Sequence, residues 1–292
     1  MELAPIGDTT VSSTDGVQLA VHDLGGHGHP LLVSHATGFH GRCYLPMAHH
    51  LATDTEPRLH AVAFDYRGHG DTPRPDGPVD WQRYGDDAEA MAVWFHERVG
   101  GPIDAFGHSM GGACLLIAAH RRPHLFRRLV LFEPIVFPPL PAGDESDKES
   151  AMVQGARRRR SSFESHQAAF DNFSSKPPLN GFTPESLRAY VQYGFDADAD
   201  GTGVHLKCRP ETEAETFAMG ARHDTWEHLP AIVTETLVVA GRISPAQPSQ
   251  VAQPIAERLP NARFLQLDDL DHFGPMAAPD VVAGVIADEL TR

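Results

Sequence analysis

The chain reads as an α/β protein, with one mostly parallel, eight-stranded sheet flanked by helices and a single inserted helical cap. Three observations predict this. Short apolar runs ending in glycine-rich or polar turns alternate with longer amphipathic stretches, the pattern of strands and helices wound around a parallel sheet. The alternation breaks once, between Pro138 and Pro230, where Pro-rich loops and amphipathic pieces replace strand-like runs. A length of 292 residues, 41% of them hydrophobic, suits one large core, alone or with a smaller lid.

The elements follow in order. Thr10 to Leu24 reads as a hairpin, because Asp15-Gly16 separates two alternating stretches. Leu31 to Ser34, Ala61 to Phe64, Ile103 to Phe106, Leu129 to Phe132, Leu237 to Ala240 and Phe264 to Leu267 are short apolar runs that predict six further strands. Between them, amphipathic stretches predict helices at Cys43 to Ala52, Trp81 to Val99, Met110 to Arg121, Ser249 to Arg258 and Val281 to Thr291. Residues 1–137 and 231–292 thus form the expected core. Residues 138–230 form the expected cap, with amphipathic pieces at Glu149 to Arg160 and Pro184 to Tyr193. No internal repeat or long low-complexity tract interrupts this plan.

Composition narrows the function. With 24 Lys and Arg against 39 Asp and Glu, the formal charge is −15, which repels phosphate backbones and anionic membrane surfaces. Neither nucleic acid nor membrane is an expected partner. Cys43, Cys114 and Cys208 are odd in number and widely spaced, which suits free thiols in a reducing cytosol, and no metal-ligand spacing surrounds them. Met1 to Thr10 lacks a basic region followed by an apolar one, and no run of about 18 apolar residues occurs, so the expected setting is cytoplasmic.

Ile103 to Gly112 carries the chemistry. It runs from a predicted strand through Gly107-His108-Ser109-Met110-Gly111, a G-x-S-x-G motif, into the apolar helix Ala113 to Ala119. A sharp strand-to-helix turn strains the central residue and demands small neighbours two positions away, and Gly107 and Gly111 meet that demand. Ser109 is thereby displayed as a nucleophile. The amide of Met110 falls at a helix N-terminus, where unpaired N–H groups favour an oxyanion.

These residues resemble the α/β-hydrolase superfamily, and the resemblance covers roughly residues 1–137 and 231–292. His35-Ala36-Thr37-Gly38-Phe39-His40 is similar to the family's His-Gly-x oxyanion loop, with Ala36 in place of the usual glycine. The resemblance implies that Thr37 supplies the second oxyanion amide beside that of Met110. Asp65-Tyr66-Arg67-Gly68-His69-Gly70 resembles the family's structural D-x-R-G-x-G turn. His272, following the last strand, stands where the family carries its catalytic base.

The acid is where the chain departs from the family. Gly241-Arg242-Ile243-Ser244-Pro245 occupies the usual acid loop and has no carboxylate. Glu133 ends the strand immediately after the nucleophile's helix, and parallel neighbours end on the same edge of a sheet, so Glu133 is the expected replacement. Some haloalkane dehalogenases of the superfamily look similar in carrying a Glu there. Asp271, adjacent to the base, is the runner-up, and a water-assisted dyad remains a third arrangement.

Serine in place of the dehalogenases' aspartate points to acyl transfer. The reading is a serine hydrolase for a small or medium hydrophobic ester, lactone or thioester, without cofactor or metal. Two alternatives stay open: a C–C bond hydrolase or lyase/cyclase using His272 as base, and a small-molecule binding protein with a vestigial triad. Phe39, His108, Phe137 and Phe273 are the expected substrate contacts. A homodimer is compatible with the chain. Arg157 to Arg160 are expected to stay hydrated at the surface, and Asp196 to Gly201, which resembles a calcium loop but has Lys207 at its twelfth position, to be a solvated turn.

Overall fold

A computed structural model describes residues 3–292 apart from 4, 5, 8, 79, 140–149, 221 and 246. The chain opens with β1 (Thr9–Ser12) and β2 (Gln18–Gly26), the expected antiparallel hairpin, turned through Asp15 and Gly16, both at positive φ. There follow β3 (His29–Ser34), α1 (Leu45–Thr53), β4 (Leu59–Phe64), α2 (Trp81–Val99), β5 (Ile103–His108), α3 (Met110–Arg121) and β6 (Phe126–Phe132). Asp80 starts α2 by accepting a hydrogen bond from the Gln82 amide at 2.7 Å, and Gly100 ends it in the left-handed conformation.

A separate segment comes next. It contains α4 (Ala151–Arg157), β7 (Ser162–Phe163), α5 (His166–Ser174), α6 (Pro184–Gly194), β8 (Phe195–Ala197), β9 (Val204–Leu206), α7 (Pro210–Ala218) and α8 (Thr225–His228). The expected helices are present, although Glu149 lies outside the described residues. To them the structure adds a small antiparallel sheet in the order β7-β9-β8, where the sequence suggested a helical cap with almost no strand-like run. Strands of two or three residues are too short to show a period of two, so only pairing with distant partners defines them. The chain then completes the main sheet with β10 (Glu235–Ala240), α9 (Ser249–Arg258), β11 (Ala262–Gln266), α10 (Gly274–Ala277) and α11 (Pro279–Leu290).

The eight strands lie in the order β1-β2-β4-β3-β5-β6-β10-β11, antiparallel only at β1/β2 and β2/β4. Helices α2, α3 and α9 contribute to the apolar cluster on one face, and α1 and α11 to the cluster on the other. The central strands are therefore covered twice, which explains their unbroken apolar runs. Leu31, Leu32, Val33, Leu129, Leu131 and Phe132 have no exposed surface, and each such burial is worth about 1.5–3 kcal/mol.

The D-x-R-G-x-G turn is structural, as expected. Asp65 accepts from the amides of Gly41 and Asp71, each at 2.7 Å, and lies 2.7 Å from His22 Nε2. Arg67 forks onto buried Asp87 with bonds of 2.9 and 2.6 Å, fastening the turn to α2. Asp196, Asp198 and Asp200 face Lys207, His205 and Thr202, so the calcium-like run is spent on its own turn.

Candidate active site

The position of Ser109 follows from the junction of β5 with α3. Ser109 has φ 56° and ψ −115°, a strained conformation, and its amide donates to Phe132 O at 2.9 Å. The helix must pass close to the end of β3 to make this turn. A Cβ on Gly111 would lie 2.2 Å from Ser34 O and 2.7 Å from His35 O, both rigid backbone atoms. Gly111→Ala is therefore expected to force α3 away from the sheet. Thermal melting and labelling by a fluorophosphonate probe should both show the loss, and wild-type values for both would contradict the elbow geometry.

Sheet register brings Glu133 alongside. In the parallel pair β5/β6, His108 is opposite Phe132, so Ser109 and Glu133 each stand one residue past the same rung. Glu133 is fully buried and, like Ser109, has positive φ, at 45°. Its amide donates to Val239 O at 2.8 Å, holding it between β6 and β10.

His272 arrives from the loop after β11. His272 Nδ1 donates to Glu133 Oε2 at 2.7 Å, and Ser109 Oγ donates to His272 Nε2 at 3.1 Å. The second carboxylate oxygen accepts from the Gly241 amide at 2.9 Å. A carboxylate can only accept, so this arrangement places the proton on Nδ1 and leaves Nε2 free to receive one from serine. The loop after β10, which has no carboxylate between Gly241 and Pro245, thus grips Glu133 through a backbone N–H. It also lies hard against the histidine loop, since a Cβ on Gly241 would come 2.6 Å from Leu270 O.

Asp271, the runner-up acid, accepts from the Phe273 amide at 2.8 Å, within its own loop. It shapes that turn. Thr37 is buried at the end of β3, which packs on the first turn of α3 through Ser34 Oγ donating to Gly111 O at 3.1 Å. The amide of Met110 opens that helix, and the first amides of a helix have no intrahelical acceptor. Among the described residues, the Thr37 hydroxyl is buried without a partner.

The imidazoles around this loop are held neutral. Burial pushes His35 down from 6.5 to about 3, helped by the proximity of His69 and opposed by Asp65. Burial likewise pushes His40 down to about 4. Both protonate readily only when unfolded, so their stabilisation is complete above pH 6.5 and shrinks as pH falls towards 4 and then 3. Between pH 7 and pH 5 each costs about 2 kcal/mol, and Tm is expected to drop by about 5–10 °C. A Tm that stays level across that range would show that the two rings are not kept neutral by the fold.

Of the expected substrate contacts, Phe39 and Phe273 meet, their ring centroids 6.2 Å apart. Phe182, from the segment between β6 and β10, completes a triangle at 6.0 Å from Phe39 and 5.6 Å from Phe273. No motif marks Phe182 in the sequence. Phe137 packs instead against the apolar cluster of α2 and α3, whereas Phe39 and Phe273 belong to the other. His108 is fully enclosed with both ring nitrogens engaged, which corrects its expected role as a substrate contact.

Arg159 is a further correction. Helix α4 stops at Arg157, and Arg159 turns inward rather than remaining hydrated. It donates to both carboxylate oxygens of Glu213 at 2.9 Å and packs over the ring of Tyr190. Glu213 in turn lies against Gly38 of the loop after β3.

Among the described residues, potential metal ligands gather at His22, Asp65 and Asp71, with donor atoms within 4.8 Å of one another. Arg42 and Lys207 both already bind Asp71, which offsets its charge. Cys43, Cys114 and Cys208 are free and buried, and burial raises each thiol far above its usual range. None is poised as a second nucleophile. No helix among the described residues is long and apolar enough to cross a membrane.

Comparison with known proteins agrees with this architecture. The chain is 28% identical over 275 residues to the lipase LipV of Mycobacterium tuberculosis (strain ATCC 25618 / H37Rv), covering 89% of this chain and 92% of that protein. It superposes on the crystal structure of E-2-(acetamidomethylene)succinate hydrolase with a TM-score of 0.79 at 20% identity, over 98% of this chain and 100% of that one. For the thioesterase domain of the curacin biosynthetic pathway the TM-score is 0.72 at 20% identity, over 97% and 99% of the two chains. A model of the alpha/beta hydrolase family matches residues 31–285, from β3 to α11. The chain belongs to the α/β-hydrolase family.

Proposed function

We propose that the protein is a serine hydrolase that cleaves a small or medium hydrophobic ester, lactone or thioester through an acyl-enzyme on Ser109. The observation that carries this reading is the continuous chain Ser109 Oγ, His272 and Glu133, with links of 3.1 and 2.7 Å. Ser109 Oγ attacks the acyl carbonyl as its proton passes to His272 Nε2. Glu133 orients the ring and stabilises the imidazolium. The amides of Met110 and Thr37 hold the oxyanion, and His272 gives its proton to the departing alcohol or thiol. Water then repeats the sequence and releases the acid.

Residues 138–230 act as the cap, and Phe39, Phe182 and Phe273 offer an apolar wall suited to a hydrocarbon acyl group. Two of the proteins this chain resembles are named as a lipase and a thioesterase, both acyl-bond hydrolases. The test is turnover by purified protein of p-nitrophenyl esters of graded chain length, simple lactones and acyl thioesters. Burst acylation followed by steady turnover is expected. Stabilisation by these compounds without product would instead mark a binding protein.

A further inference from the structure

Behind the reacting groups runs a hydrogen-bond chain whose direction is set by its end members. The Ala36 amide, in the oxyanion loop, lies 3.2 Å from Tyr44 Oη, which lies 2.9 Å from His108 Nδ1. His108 Nε2 lies 2.8 Å from the backbone oxygen of His272. An amide N–H can only donate and a carbonyl can only accept. Tyr44 Oη therefore accepts from Ala36 and gives its own proton to Nδ1, while His108 carries its proton on Nε2 and donates to His272 O.

The parts are well anchored. Tyr44 and His108 have no exposed surface, and the rings of His108 and His272 are 5.0 Å apart. His108 immediately precedes Ser109 on rigid β5, and Tyr44 closes the short helical turn Gly41–Tyr44 before α1. The strut thus reaches the oxyanion loop at one end and the histidine loop at the other. Glu133 orients the ring of His272 but does not fix how far the loop brings it towards Ser109. The carbonyl contact holds the backbone from which that ring extends.

We propose that His108 and Tyr44 are positioning residues for the reaction, holding His272 within reach of Ser109 and tying that placement to the oxyanion loop. This rests on the reading of His272 as the base. A shift of about 1 Å at such a contact costs on the order of 100-fold in rate.

The test compares full-length wild type, Ser109→Ala, His108→Asn, His108→Gln and Tyr44→Phe on one p-nitrophenyl ester, reading kcat and KM separately, with Tm recorded for each. Asparagine keeps an acceptor near the Nδ1 position but cannot reach His272. Glutamine places a donor near the Nε2 position. His108→Asn should lower kcat about 10- to 100-fold with KM within about twofold, and His108→Gln should recover most of the loss. Tyr44→Phe should lower kcat about 5- to 10-fold and add little to His108→Asn in the double variant, because both cut one chain.

Equal kcat for His108→Asn and His108→Gln, or losses in Tm alone, would overturn the proposal and leave His108 as core. If His108→Asn does not fold, the single hydroxyl removed in Tyr44→Phe decides, and unchanged kcat there rejects the strut. Inactive Ser109→Ala beside a fully active His108→Asn rejects the strut and keeps the serine hydrolase; active Ser109→Ala rejects both. Nitrogen NMR of the wild-type imidazoles reads the chain without turnover: a neutral His108 with its proton on Nε2 supports it, and a proton on Nδ1 overturns it.

Discussion

Ser109→Ala is expected to reduce turnover of p-nitrophenyl esters by about 10⁵- to 10⁶-fold and to eliminate fluorophosphonate labelling, with KM and Tm little changed. The size of the effect follows from what is removed. In the proposed mechanism Ser109 Oγ is the one atom that bonds to the acyl carbon, and without it His272 has no alcohol to activate. The oxyanion amides and the apolar wall remain, so binding survives and a small residual rate above background persists. Ser109 is also strained at φ 56°, and alanine there meets the same backbone cost without a reactive group to offset it. Turnover within about tenfold of wild type would remove Ser109 from the mechanism altogether.

Glu133→Gln is expected to lower kcat by about 10²- to 10⁴-fold while the protein stays folded. Glutamine has the shape of glutamate but only one accepting oxygen. If that oxygen keeps the Gly241 amide, the NH₂ faces His272 Nδ1 and forces the proton onto Nε2, the nitrogen that must receive serine's proton. If it turns to His272 instead, NH₂ meets the Gly241 N–H donor to donor. Either the required tautomer or a buried contact is lost, and no charge remains to stabilise the imidazolium. Measuring kcat and labelling rate together checks this. Full activity in Glu133→Gln would make Glu133 a structural residue and reassign the acid.

These predictions draw on parts of the site that were unequally legible in the sequence. Ser109 was legible because its strained elbow needs small residues at fixed offsets, and that need is written within ten consecutive residues. His272 was legible through its place after the last strand. Glu133 was legible partly by elimination, because the loop after β10 offers Ser244 where an acid is usual, and partly because parallel strands end on one edge. The structure then added the reason that one strand's displacement is tolerated: the Gly241 amide holds the relocated carboxylate at 2.9 Å.

Other features left no mark. Four successive arginines suggested a hydrated surface, yet the end of α4 at Arg157 turns Arg159 onto Glu213 and Tyr190. Tyr44 and His108 are 64 positions apart, and His108 and the carbonyl it meets are 164 apart. A backbone carbonyl carries no residue identity at all. Phe182 and the strands β7 to β9 similarly acquire their roles only from partners distant in the chain.

By itself, then, the amino-acid order determined the α/β layering and singled out Ser109, His272 and Glu133 as candidate site residues, because apolar periodicity, turn chemistry and the elbow motif are local constraints. Tertiary structure alone decided which nitrogen of His272 faces serine, which aromatic side chains gather beside it, and which hydrogen bonds link the loop after β3 to the loop after β11. Those outcomes depend on contacts between residues whose separation along the chain bears no relation to their distance in space.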